Sequence, residues 1–298
     1  MSRSFHLFAF ALVMSLLTLF GCAPSKVNDD QIEVVADEGL AALRIFDFTS
    51  AYKSLSRIQP ELPQTNPRWE EITFAYAISC WHATPPDPEK TKIAVDLFRE
   101  ILNSDANDGY KTLSTMALAR IKEVSSSDGD GVTDLEQARA LYESVQKEHP
   151  TGKAGYQASL RLAQSYVQLL TPESIQQGLV IIAAQIEKDP VDPWAAVAYQ
   201  YSGDLYAYYL NDISTALDCY LKADEIGMAN ASRADVYLWG MSMWAAQLSK
   251  DALAVKLWQR IINDHPRSIY GTMARDHLKD YASSHPDEAV EIPVIKTW

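Results

Sequence analysis

The chain has 298 residues, with 26 Lys and Arg against 39 Asp and Glu, a formal net charge of −13. That balance excludes a nucleic-acid surface, which needs clustered cations against phosphate, and electrostatic attachment to anionic lipid. The length suits one large domain or an elongated array of repeats.

The first segment reads as an address. Arg3 precedes an apolar run from Phe5 to Phe20, interrupted by His6, Ser15 and Thr18. The run is short for a membrane-spanning helix, which takes about 20 apolar residues. A basic start, an apolar core and small residues at the end describe a secretory signal instead. The run closes on Leu19-Phe20-Gly21-Cys22, which resembles the lipobox of bacterial lipoproteins. The resemblance implies cleavage before Cys22 and acylation of its thiol and its new amino group. Two or more acyl chains anchor stably, since each buried CH₂ contributes about 0.8 kcal/mol. Ala23 rather than Asp follows the cysteine. In enteric-type bacteria this implies the outer membrane, facing the periplasm.

Beyond the N-terminal segment, apolar residues recur at three and four positions, and Pro and Asp-rich breaks separate the segments. No alternating strand pattern stands out, so the chain is expected to be all-α. Six sets of residues share offsets 0, +4, +7 and +12. In chain order they are Ala51, Leu55, Ile58, Pro63; Ala94, Phe98, Ile101, Ala106; Ala138, Tyr142, Val145, Pro150. The others are Gly178, Ile182, Gln185, Pro190; Ala216, Tyr220, Ala223, Met228; and Ala254, Trp258, Ile261, Pro266. The first three positions share one helix face, and a proline ends the helix. The small first residue lets two helices approach closely, and the bulky second one fills the space towards the next hairpin.

An earlier helix precedes each set. Its markers are Gly39 and Ala42; Trp69, Ile72 and Tyr76; Leu113 and Ala117; Ala163 and Tyr166; Tyr199, Gly203 and Tyr206; and Trp239, Gly240 and Met243. Together these patterns resemble the tetratricopeptide repeat. The small residues stand 38 to 44 positions apart, more than the family's usual period of about 34, and stretches such as TPPDPEKTK at 84–92 are expected to absorb the excess. Two junctions, KEHPTGKAGYQASLRLA and INDHPRSIYGTMARDHL, are similar to the subtype found in envelope proteins. Examples are the lipoprotein of the β-barrel assembly machinery and the Tol–Pal-associated periplasmic protein. The resemblance implies a right-handed solenoid of about six helical hairpins with a C-terminal capping helix. The expected order is signal peptide 1–21, lipidated tether 22–31, repeat domain 32–282 and tail 283–298.

Few motifs carry chemistry. SSSDGDGVTDLEQA, 125–138, has the look of a calcium loop with Asp128, Asp130, Asp134 and Gly131 in place. Ser126 and Gln137 stand where acids are required, so no metal is expected. Thr133-Asp134-Leu135-Glu136 reads as a capping box before a helix. The histidines and carboxylates form no catalytic motif, and neither an enzyme nor a cofactor is expected. WHATPPDPEK, with Trp81 and His82, reads as a packed helix end before a loop. Cys80 and Cys219 read as small buried residues, and there is no CxxC.

Aromatic residues are in surplus at YQYSGDLYAYYLND and YLWGMSMWAAQ. In tetratricopeptide arrays the first helix of each hairpin lines a concave groove. Carried over by position, the resemblance turns Gln200, Asp204, Tyr208, Tyr237, Met241 and Trp244 towards a partner. The expected function is a lipid-anchored envelope scaffold that binds partner proteins, held to the membrane through Cys22. The alternatives are a subunit of outer-membrane protein assembly or another envelope complex, and an envelope enzyme or cell-wall glycan-binding protein.

Overall fold

A computed structural model describes residues 29–124, 133–227 and 231–294. The apolar run, Cys22, most of the acidic loop, Met228 and Trp298 lie outside the described residues. Within those residues there are thirteen α-helices and no strand, so the chain is all-α. None of these helices is long and apolar enough to cross a membrane.

The chain forms two compact units, divided after Ala106. The first holds α1 (Asp29–Arg44), α2 (Phe48–Leu55), α3 (Trp69–His82) and α4 (Pro88–Asn103). Each packs on the next, and α1 also meets α3. The second holds α5 (Asp108–Val124), α6 (Leu135–Glu148), α7 (Gly152–Val167), α8 (Pro172–Lys188) and α9 (Pro193–Asp204). It continues with α10 (Ile213–Ile226), α11 (Ala234–Gln247), α12 (Asp251–Asp264) and α13 (Ile269–Ser284). Consecutive helices pair here too, α7 touches both α5 and α9, and α11 touches α13. Helix α1 starts at Asp29, so residues 29–31 are helical.

Every residue at the first three positions of the six sets is buried. Gln185 is the polar member of that group. It is fully buried, and its Nε2 donates to the Pro150 carbonyl at 3.0 Å while Ser159 Oγ lies 3.0 Å from its Oε1. A buried amide is tolerated because its polar atoms find partners.

Four turns between paired helices share one construction. A residue with positive φ stands just before the N-cap of the second helix: Phe46 at 62°, Leu170 at 54°, Asn211 at 52° and Ser249 at 55°. The left-handed residue brings the chain back onto the last carbonyls of the first helix. Asp47 N–H donates to Ala42 O at 2.9 Å and Phe46 N–H to Leu43 O at 3.0 Å. Lys250 and Ser249 repeat this on Ala245 at 2.8 Å and Ala246 at 3.0 Å. This is the Schellman arrangement. In the first turn its last residue also caps the following helix, because Asp47 accepts from Ser50 N–H at 3.0 Å. Thr171 and Asp212 cap α8 and α10 from the same place, accepting from the amides of Ser174 at 3.2 Å and Thr215 at 3.0 Å.

Helices α6, α12 and α13 each end on a His-Pro pair, with His149, His265 and His285 as C-caps at ψ of 72°, 53° and 63°. A residue before proline is kept out of the helical region, so the helix stops there. In the two junctions that look alike, a glycine follows the histidine by six positions. A Cβ on Gly155 would collide with the His149 carbonyl oxygen, and one on Gly271 would lie 3.1 Å from that of His265.

Several sequence expectations are corrected. Leu113 is 46% exposed, and the buried line of α5 runs instead through Ser114, Ala117, Leu118 and Ile121. Gly240 faces open space. TPPDPEKTK is only partly a loop, because Asp87 caps α4, which begins at Pro88. The capping residue before α6 is Asp134 and not Thr133, and it accepts from Gln137 N–H at 2.9 Å. Beyond these corrections, the tail as far as residue 294 turns back on the helices: Val290 and Ile292 pack on the last core cluster, and Glu291 O accepts from Gln259 Nε2 at 2.8 Å.

Two substitutions test this framework. Asp212→Ala is expected to lower stability at neutral pH by about 1 kcal/mol, a typical N-cap loss, measured by urea denaturation. The Asp212 carboxyl is held below its ordinary value, first by the Thr215 amide. Its contribution is therefore present above about pH 4 and fades as pH falls through the folded-state pKa, so the gap between parent and variant should close in acid. Gly155→Ala is expected to cost about 2 kcal/mol, because the methyl group meets backbone that cannot move aside as a side chain would.

Candidate functional site

Helix α9 does not end cleanly at Asp204. It continues as one π-helical turn, Leu205–Tyr209, closed by Leu210 N–H donating to Leu205 O at 3.1 Å. Asp212 N–H then donates to Tyr206 O at 2.8 Å and starts α10. The wider turn keeps Leu205 in the core at 1% exposure and leaves Tyr208 and Tyr209 outside at 71% and 53%.

Four of the six residues expected to face a partner gather around a side chain that sequence reasoning assigned to packing alone. That side chain is Tyr220, on α10. Its hydroxyl donates to Asp204 Oδ1 at 2.5 Å. Its ring meets Tyr237 at 5.9 Å, tilted, and Trp244 at 5.3 Å, edge to face. The Tyr208 hydroxyl lies near enough to add to the upward push on the Tyr220 phenol. Gly203 makes this possible: a Cβ there would stand 2.5 Å from the Tyr220 ring.

Gln200 lies one helical turn before Asp204, but it is 92% buried, and its Nε2 has no hydrogen-bond partner among the described residues. Met241 does not belong to the surface at all. It is fully buried with Leu238, Ser242 and Ala245, a line at three- and four-residue spacing that turns the Trp239-Gly240 pair out of register with the expected motif. The sequence signal that would have found this is the apolar and small line Leu238, Met241, Ser242, Ala245 itself, read ahead of the aromatic-glycine pair.

The electrostatics follow from burial. Asp204 is half-buried, and loss of solvent pushes its carboxyl above the ordinary value while the Tyr220 hydroxyl pulls it back. Burial also raises the Tyr220 phenol, as does its bond to Asp204. Tyr201, close by, is pushed up to about 12, chiefly by burial.

Other candidates come apart. The His82 ring packs on Phe48 at 4.8 Å and on Trp81 at 4.3 Å. Cys80 and Cys219 are free, and burial raises the thiols to about 12 and about 11, far from a reactive thiolate. Cys80 is buried as expected, whereas Cys219 is only half-buried. Among the described residues no His, Cys, Asp and Glu cluster could hold a metal ion. The calcium reading of 125–138 falls largely outside them, and Asp134 is engaged in capping α6. The chain shows no match to a known protein family or to a curated protein.

The Asp204–Tyr220 contact makes a pH prediction. A carboxyl whose folded-state pKa lies above its unfolded value destabilises the fold above that pKa, and the penalty is relieved as pH falls through it. Tyr220→Phe removes the hydroxyl that opposes the shift. In an NMR titration the Asp204 carboxyl is expected to titrate above 3.8 in the parent and higher still in Tyr220→Phe. A carboxyl unmoved by the substitution would mean that the contact does not form in solution.

Proposed function

We propose that the protein is a lipid-anchored scaffold of the cell envelope. In this proposal tetratricopeptide-like hairpins stack into a right-handed solenoid that binds partner proteins. The observation that carries the proposal is the surface around Tyr220, where Tyr237, Trp244 and Asp204 are already arranged by packing and Tyr208 stands exposed nearby. A preformed aromatic surface binds without ordering its own side chains, and aromatic residues dominate the binding energy of protein interfaces. The helical pairing in chain order, the repeated turns and the close approaches at Gly39, Gly178 and Gly203 support a repeat architecture.

Cys22 supplies the membrane half of the proposal through its resemblance to lipidated cysteines. Six residues separate it from α1, and fully extended they reach at most about 22 Å. The scaffold would then stay close to its membrane. The likeness of the two His-Pro junctions to the envelope subtype makes a subunit of an envelope assembly complex the specific form of the proposal.

The test places a photo-reactive benzoylphenylalanine at Tyr208, with Val180, 58% exposed on α8, as the control position. Irradiation of intact cells is expected to give a discrete protein adduct from position 208 and none from 180. Cys22→Ala is expected to move the protein from the membrane fraction to the soluble fraction. Equal labelling at both positions, or none at 208, overturns the binding half; a membrane-bound Cys22→Ala protein overturns the anchor.

A further inference from the structure

The second unit builds the same carboxylate device twice and completes it once. Glu123 is 92% buried, accepts from the Tyr142 hydroxyl at 2.8 Å and pairs with Arg120 Nη1 at 2.8 Å. Asp204 likewise accepts from a tyrosine hydroxyl, that of Tyr220, yet among the described residues it has no Lys, Arg or His partner. A half-buried carboxylate without a cation leaves a desolvation cost unanswered.

The aromatic rings show the same contrast. Lys90 lies over Tyr52 at 4.6 Å, Arg139 over Tyr166 at 3.7 Å and Lys153 over Trp194 at 5.8 Å. Around Tyr220, the rings of Tyr208, Tyr237 and Trp244 have no such cation among the described residues. A carboxylate and ring faces without a cation are together the complement of a cationic side chain.

Resting on the scaffold reading, we infer that this site takes an Arg or Lys side chain from an extended, basic segment of the partner protein. Arginine fits best, because a planar guanidinium bonds both oxygens of a carboxylate and also stacks on aromatic rings. The net charge of −13 draws such a segment towards the protein and makes the encounter sensitive to salt.

The test selects from a nonapeptide pool with randomised flanks and Arg, Lys, citrulline, Gln or Glu at the centre, using the immobilised full chain in detergent. Citrulline keeps the shape of arginine and removes its charge. The expected result is enrichment of Arg over citrulline by about tenfold or more. Asp204→Asn should abolish it, and Tyr208→Ala should reduce it severalfold, with helical circular dichroism unchanged. Enrichment of citrulline, Gln or Glu, enrichment indifferent to Asp204→Asn, or displacement of the peptide by N-acetylglucosamine oligomers overturns the inference. No enrichment of any peptide overturns it as well. If the Tyr208 photo-adduct forms while arginine is not enriched, the scaffold reading survives and only the cation preference fails. If neither appears, both fall.

Discussion

The close approach of paired helices is the constraint from which the rest of the structure follows. At Gly39 and Gly203 there is no room for a Cβ, because the Leu55 side chain and the Tyr220 ring already stand there, each at 2.6 Å or less from where it would lie. The bulky residue of the second helix thus fills a gap left on the first. Helix axes can come this near only when one partner is small at the crossing. Tyr220 shows how much depends on it. Its ring is seated by Gly203, and that seat delivers the hydroxyl to Asp204, the next residue along α9. A larger residue at 203 would displace the ring, and with it the bond and the contacts to Tyr237 and Trp244.

Polar groups inside the helical layers are mostly answered locally. Gln185 closes α8 onto the junction before α7, and Tyr156 donates from α7 to the Asp189 carbonyl beyond α8 at 2.5 Å. Arg139 holds the end of α7 through Ser165, at 3.0 Å to the hydroxyl and 2.7 Å to the carbonyl. Arg260 clamps both carboxylate oxygens of Asp224, tying α12 to α10. Such bonds each contribute little net stability, but leaving one unmade in a buried place costs more than making it gains. They therefore specify which helices meet and in what register, more than they hold the fold together.

The helical class and the buried face were legible because both rest on spacing, which sequence displays directly. Ala138, Tyr142 and Val145 share a face at any position of the helix in space. Turn chemistry was less legible. Phe46 and Leu170 adopt positive φ without being glycine, and nothing in their identity announces it. Asp47, Asp87 and Asp212 were plain cap residues that the apolar pattern overshadowed. At the candidate site, Asp204, Tyr208, Tyr237 and Trp244 were named only through the resemblance to a repeat's first helix and not from spacing. Tyr220 was not, since a gap-filling aromatic and a hydrogen-bonding one look alike in sequence. Met241 failed because Trp239 and Gly240 offered a more familiar pair than the line that packs. The π-turn had no sequence signal, and it decides which tyrosines reach solvent.

Several departures from local rules fall together in residues 200–209, although buried unpaired polar atoms also occur at Ser114, Trp258 and Arg275. Among the described residues, Gln200 is buried with an unpaired amide and Asp204 is half-buried without a cation; the helix widens into a π-turn, and Tyr208 and Tyr209 stand in water. Each costs stability by itself. Buried polar groups want partners, π-turns are rare in helices and recur at functional sites, and exposed rings forgo about 25 cal/mol for each Å² left in water. The neighbouring α7–α8 pair follows the ordinary rules, with its buried glutamine and serines paired. Sequences that specify a fold agree with themselves at every level except where something other than folding is selected. A bound basic segment would answer two of these four costs at once, neutralising Asp204 and covering the tyrosines. Occupancy by a partner is thus a physical account of why the irregularities occur together.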